Sequence, residues 1–315
     1  MSSRAATPTQ PRLATSDGAG RGTAAAVWSL VLASSSLPQI VYTEVTGHEA
    51  PVWLALAQAG LLLGVLAAGS RTRKGGQLAG TARWLLAMVL GWNLVISGVA
   101  GTAAWESWQH EVPWVARGAV VQLLLFVPTL LLVLLGPGRL GRHQLRLVVG
   151  DDRRTAGRGV YTAGTSPRWR RLGLCWAVLI TVGTLTAMTV ALGSKAEDLD
   201  VLAWSLPAIA VLAATNTVNE EFGYRNVPLA LLPGVIGVRQ AMIATGLMFG
   251  LAHYYGNPPG ASGVLLATFL GVFIAKSVLE TGGSKWAWII HWLQDMVIFS
   301  FLTAAWGALG PDAPQ

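Results

Sequence analysis

The sequence predicts an all-α fold: a polytopic transmembrane helical bundle of eight to nine spans. Three observations predict it. Of 315 residues, 53% are hydrophobic and only 12% are charged, about half the charged share of a soluble domain. The apolar residues fall in long blocks, several of which approach the roughly 20 residues needed to cross a bilayer. Runs such as LLLFVPTLLLVLL do not alternate polar and apolar residues, as transmembrane strands would. The same composition excludes a disordered chain, which would be rich in charge and poor in apolar residues. A single cysteine, Cys175, excludes a disulfide scaffold.

The spans follow in order. A weak first window, Ala24–Tyr42, carries Ser34, Ser35, Ser36 and Pro38. Clearer windows run over Val52–Gly69, Trp84–Ala104, Gly118–Leu135, Leu172–Leu192, Ile236–Tyr255, Val264–Leu279 and Trp286–Leu309. A longer one, Leu202–Leu232, is interrupted by charge. The chain divides into a disordered cytosolic tail (1–23), N-terminal transmembrane helices (24–135), an Arg-rich cytosolic loop (136–171) and C-terminal transmembrane helices (172–310).

Charge sets the orientation. Arg4, Arg12 and Arg21 precede the first span, and Arg71, Arg73, Lys74 and Arg83 follow the second. Nine arginines lie between Arg139 and Arg171. The intervening gaps hold Glu44 and Glu49, Glu106 and Glu111, and Lys195 against Glu197, Asp198 and Asp200. This alternation fits the positive-inside rule with a cytoplasmic N-terminus in the cell membrane. The tail lacks a cleavage-site pattern and reads as cytosolic, not as a signal peptide. The Arg-rich loop sets topology; no aromatic residues are interleaved as stacking of bases requires, so no nucleic-acid partner is expected. Membrane lipids are expected partners.

Ionisable residues inside apolar windows are costly, and function is the default explanation for them. Three clusters occur, all after residue 200. In Asn219-Glu220-Glu221-Phe222-Gly223-Tyr224-Arg225, Glu221 and Arg225 are spaced to pair on one helix face. Glu220 points elsewhere, and burial beside a second carboxylate tunes it toward general-base chemistry. Phe249 and His253 share a face. His291 and Asp295, one turn apart, suit a carboxylate orienting an imidazole. Together the set can activate water and stabilise an oxyanion, or bind a divalent metal such as zinc through Glu220, His253 and His291.

These motifs resemble those of the CPBP membrane proteases (CAAX prenyl proteases and bacteriocin-processing enzymes, the Abi family). EE-x3-R, F-x3-H and H-x3-N/D read here as Glu220–Arg225, Phe249–His253 and His291–Asp295. Gly271 and the turn Thr281–Trp286 add supporting texture. The resemblance covers about 202–301. It implies an intramembrane endopeptidase acting on a membrane-bound or lipid-modified peptide. Glu220 would activate water, Glu221 and Arg225 would hold the motif, His253 would help place the water, and His291 with Asp295 would stabilise the oxyanion. No cofactor is expected, because Glu220 with a water suffices. Two positions depart from the family pattern. Asp295 stands where Asn is frequent, so it must be protonated, orient His291 or bind metal. Asn226 stands where Gly is frequent.

Counted at 1.5 Å per residue, Glu220 lies roughly 20 Å from the cytoplasmic end of its helix, His253 roughly 24 Å and His291 roughly 9 Å. The three converge only if a helix is tilted, broken or set deep, and Pro228 and Pro233 are available as breaks. Gly260-Ala261-Ser262-Gly263 matches the GxSG serine motif of rhomboid proteases, but beside Pro258-Pro259 it reads as a turn and helix start. HExxH is absent. A non-catalytic scaffold or self-immunity protein of the same fold is the alternative. A transporter is disfavoured because no inverted repeat is visible.

Overall fold

The computed structural model describes residues 20–69, 73–112, 114–135, 140–192, 198–256 and 258–308. Its helices are α1 (Arg21–Ser34), α2 (Leu37–Thr46), α3 (Val52–Gly69), α4 (Arg73–Met88), α5 (Ser97–Ala100), α6 (Ala103–Glu111), α7 (Trp114–Leu135), α8 (Trp169–Leu192), α9 (Asp198–Glu221), α10 (Val227–Leu231), α11 (Pro233–Ile236), α12 (Val238–Ala252), α13 (Gly260–Thr281) and α14 (Lys285–Ala308). π-helical segments, Val89–Ile96 and Phe222–Asn226, directly follow α4 and α9. No strand forms among the described residues; one isolated bridge joins Thr155 to Arg168. Expected charges at Arg71, Arg139, Lys195 and Glu197, and residues 1–19 of the tail, lie outside the described residues.

Among the described residues, seven stretches are long and apolar enough to cross a membrane, and the pair α1–α2, bent by 50°, is an eighth if it counts as one span. The chain is an integral membrane protein. The weak first window is a bent helix pair, parted at Ser35–Ser36 where its serines stand. The window expected over Ile236–Tyr255 yields only the 15-residue α12, short of a full crossing. Unlike in a soluble protein, large apolar residues face outward as well as inward, and polar residues lie among the buried ones. Leu63, Leu123, Leu130, Leu134 and Leu265 are exposed, whereas Asn216, Asn219, Glu221 and Arg225 are buried.

A bilayer supplies no water to a backbone group that a helix break leaves open, so the protein must supply the partner. The α1–α2 break is covered by Gln58, whose amide donates to the carbonyls of Ala33 at 2.9 Å and Ser35 at 3.1 Å. Gln58 in turn accepts from Gln39 at 2.7 Å and Asn93 at 3.0 Å.

The two prolines of the motif helix show the same logic. In the Phe222–Asn226 π-turn the Val227 N–H bonds the Phe222 carbonyl, one residue further back than in an α-helix. The next residue in that register, Pro228, has no N–H for the Gly223 carbonyl. The Trp84 indole donates to it instead, at 2.8 Å. Pro233 likewise leaves the Leu229 carbonyl without its α-helical donor, and the Arg146 guanidinium donates there at 2.9 Å. The break is thus centred on the π-turn before Pro228, earlier than the prolines themselves suggest. Trp84→Phe keeps an aromatic ring but removes the indole N–H, leaving a buried carbonyl unpaired. A loss of about 1–3 kcal/mol is expected, read as an earlier unfolding midpoint in detergent.

The Arg-rich segment is more than a topology marker. Residues 140–168 fold as a cap over the ends of α10, α13 and α14. The Asp151 N–H donates to the Thr281 carbonyl at 2.9 Å, and the Ser284 N–H donates to Val148 at 2.9 Å. The Tyr161 hydroxyl, pushed up to about 12 by burial, stays protonated and donates to the Phe269 carbonyl at 3.0 Å. Asp152 and Lys285 pair at 2.6 Å, and this bond holds the Asp152 carboxyl below its usual range. The turn after α13 needs its glycines. Gly282 has φ +74°, and a Cβ on Gly283 would lie 2.3 Å from the Gly150 nitrogen.

Candidate active site

The first motif sits at the end of α9, the second at the end of α12, and the third early in α14. α9 packs along α14, and α12 packs along α13. The second pairing is close because two glycines face each other: a Cβ on Gly271 would lie 2.9 Å from Gly246 Cα. This proximity lays α12 beside the π-turn and seats Phe249 over the Arg225 guanidinium, 4.0 Å from the ring centroid.

His291 is the meeting point. Its Nδ1 lies 2.8 Å from Glu221 Oε1. A carboxylate only accepts, so this bond places a proton on Nδ1. Its Nε2 faces Glu220 Oε2 at 3.3 Å and Asp295 Oδ1 at 3.7 Å. Three carboxylates therefore surround one imidazole, two from the first motif and one from the third. Glu221 also faces Arg225 Nη2, at 3.8 Å, and both side chains are fully buried. His291 is 2% exposed, Asp295 6% and Glu220 8%, so Glu220 is the most accessible of the acid groups.

The expected cluster of Glu220, Glu221, Arg225, His291 and Asp295 is brought together. His253 joins it only indirectly. Its Nδ1 bonds the Phe249 carbonyl at 2.8 Å, which leaves Nε2 as the free ring nitrogen. Its ring lies 4.3 Å from that of Phe249, which in turn lies 5.6 Å from His291. No hydrogen bond or ion pair joins His253 to Glu220 among the described residues. Among those residues, too, no three His, Cys, Asp or Glu side chains are gathered so as to hold one ion. The Nδ1 bonds of His253 and His291, to a carbonyl and to Glu221, leave Nε2 as the remaining nitrogen of each ring.

Several neighbours escape the motif reading. Asn216 and Thr217 donate to Asp295 Oδ2 at 3.2 and 3.0 Å. Asp295 thus accepts two hydrogen bonds on Oδ2 and faces the imidazole with Oδ1. The signal was in the spacing: Asn216 and Thr217 precede Glu220 and Glu221 by one turn each. Asn226, the departure after the motif Arg, donates to the Leu145 carbonyl at 2.8 Å and to Ser284 Oγ at 2.7 Å. It pins the motif helix to the cap and to the turn before the third motif, which glycine cannot do. Phe249 touches Tyr224, Arg225, His253 and His291; sequence spacing shows only that it faces His253.

Ser262 is exposed in the first turn of α13, and its hydroxyl donates to the Pro259 carbonyl at 2.9 Å. It is a helix-start residue outside the His291 cluster, so Ser262→Ala is expected to keep full hydrolytic activity. A loss of activity beyond about tenfold, read on the reporter described below, would restore the serine reading.

No curated protein and no solved structure matches the chain significantly. Residues 202–297, about a third of the chain, match the family described as Rce1-like, Type II CAAX prenyl endopeptidase Rce1-like. The resemblance of the three motifs to the CPBP, or CAAX prenyl protease, family holds over this segment.

Proposed function

We propose that the chain hydrolyses a peptide bond of a membrane-associated or lipid-modified protein, with Glu220 as the base that activates water. The observation that supports this most is the convergence at His291 of motif residues from three separate helices, with Glu220 the most accessible carboxylate among them. In this reading water attacks the scissile carbonyl carbon as its proton passes to Glu220. The oxyanion is stabilised by the imidazolium of His291, whose other nitrogen is held by Glu221. The C–N bond then breaks, and Glu220 returns the proton to the leaving amine nitrogen. Asp295, held by Asn216 and Thr217, orients His291 and balances its charge. His253, with Nε2 free, helps place the water. No metal takes part in this mechanism. The N-terminus is cytoplasmic, in the cell membrane.

The test is a comparison of membrane proteomes between strains carrying the unchanged protein and Glu220→Gln. A membrane protein that accumulates uncut in the variant is the expected result and identifies the substrate. Unchanged proteomes and an unchanged phenotype would instead favour a non-catalytic scaffold. Purified protein should keep its activity after chelation; a stoichiometric metal lost together with activity would overturn the metal-free mechanism.

A further inference from the structure

We propose that a groove between the arginine-rich cap and α8 holds an anionic phospholipid, with its phosphate on Arg171 and its acyl chains along the outer face of α8. Binding there does not depend on the peptidase reading. The cap does not stop at the helix ends. Its Gly157 N–H, and the Trp169 indole at the start of α8, both donate to the Glu280 carboxylate at 3.0 Å. Tyr161 instead reaches the carbonyl of Phe269, eleven residues earlier on α13. At 1.5 Å per residue, the turn that carries Tyr161 dips roughly 16 Å farther along the bundle. Val160, which opens this turn, is 85% exposed. An apolar residue set that low and left uncovered faces acyl chains. Tyr161 and Trp176 meet edge to face at 5.8 Å, and the Trp176 indole donates to the Tyr161 carbonyl at 2.8 Å. The wall is therefore fixed, and it is of the aromatic kind found where headgroups meet chains.

Between this turn and α8 lies a groove of about 630 Å³, whose lining carries one cation, Arg171, and no carboxylate. On α8, Arg171, Leu174, Val178 and Val182 follow one another at three- and four-residue steps and so share a face. The three apolar members are exposed. Arg171 therefore heads a lipid-facing stripe. Charge selects the headgroup. The acidic groups on and beneath the cap are already taken: Asp151 by Arg154, Asp152 by Lys285 and Glu280 by Lys276. Arg158, Arg168 and Arg171 are exposed and form no ion pair among the described residues. A phosphate accepts the forked donors of a guanidinium, and a net negative headgroup balances the surplus around it. A zwitterionic headgroup would bring an ammonium for which the lining has no carboxylate.

Cys175, the single cysteine, is exposed in the groove one turn from Arg171 and serves as the reporter. The test measures the rate at which a maleimide alkylates Cys175 in the full chain, purified in a non-ionic detergent. Dioctanoyl phosphatidylglycerol, dioctanoyl phosphatidylcholine or inorganic phosphate is added in parallel. Phosphatidylglycerol is expected to slow alkylation by at least roughly fivefold, and the other two by less than about twofold. Arg171→Gln is expected to remove the protection while keeping the unprotected rate and the unfolding midpoint. No protection by phosphatidylglycerol would overturn the proposal. Equal protection by phosphatidylcholine would do so too, as apolar filling without headgroup recognition. Protection by phosphate alone would make the groove an ion site, and protection that survives in Arg171→Gln would remove Arg171 from it. The comparison of the two lipids uses the unchanged protein, so it decides even where a variant fails to fold.

Discussion

Replacing Glu220 by Gln is expected to lower hydrolysis by about 10²–10⁴-fold while the fold remains intact. Gln preserves the shape and removes only the ability to take a proton. Glu220 is one of three carboxylates around His291, at 3.3 Å from Nε2, so losing its charge also relieves like-charge crowding, and the unfolding midpoint should hold or rise. The readout is cleavage of a quenched fluorogenic peptide tethered to a single membrane span, with an SDS unfolding titration run in parallel. Full cleavage by Glu220→Gln would sink the assignment of Glu220 as the base. Loss of cleavage together with a collapsed midpoint would make Glu220 a structural residue instead.

The second large effect concerns stability. Arg225→Met is expected to destabilise the protein by about 3–5 kcal/mol. Arg225 and Glu221 are both fully buried and face each other at 3.8 Å, and the guanidinium lies 4.0 Å from the Phe249 ring centroid. Removing the cation leaves the fully buried Glu221 carboxylate with only the His291 imidazole to offset it. The double variant Glu221→Gln/Arg225→Met should therefore recover much of the loss, because an uncharged pair has no stranded partner. An SDS unfolding titration of the four cycle members checks this. Additive losses would mean that the pair is not coupled and that Arg225 acts through packing alone.

The fold class, the spans and the core of the site were legible because each has a periodic or compositional signature. Glu220, Glu221, Arg225, His291 and Asp295 announce themselves as charges that no loop accounts for. Counting residues along each helix, in contrast, gives Glu220 and His291 unequal depths, whereas the two side chains meet at 3.3 Å. The cap itself was illegible because its contacts, backbone hydrogen bonds and side-chain pairs alike, join distant segments and leave no pattern in either. The π-turn was illegible for a related reason. It depends on Pro228 lacking an N–H and on Trp84 lying in the right place, and only the first is local. His253 shows the limit of motif reasoning: the motif fixes its distance from Phe249 along one helix, and says nothing of its distance from Glu220.

The indole of Trp84 and the guanidinium of Arg146 each complete a carbonyl of the motif helix, and both come from outside residues 202–297. The motif-bearing segment is therefore not a portable module. Excised, it would carry two open carbonyls into the lipid. Grafted onto foreign helices, it would need a donor at each of those two heights. Homologous segments are interchangeable only as far as their hosts provide those donors, so chimeras should succeed or fail by these two positions before any difference in substrate is felt.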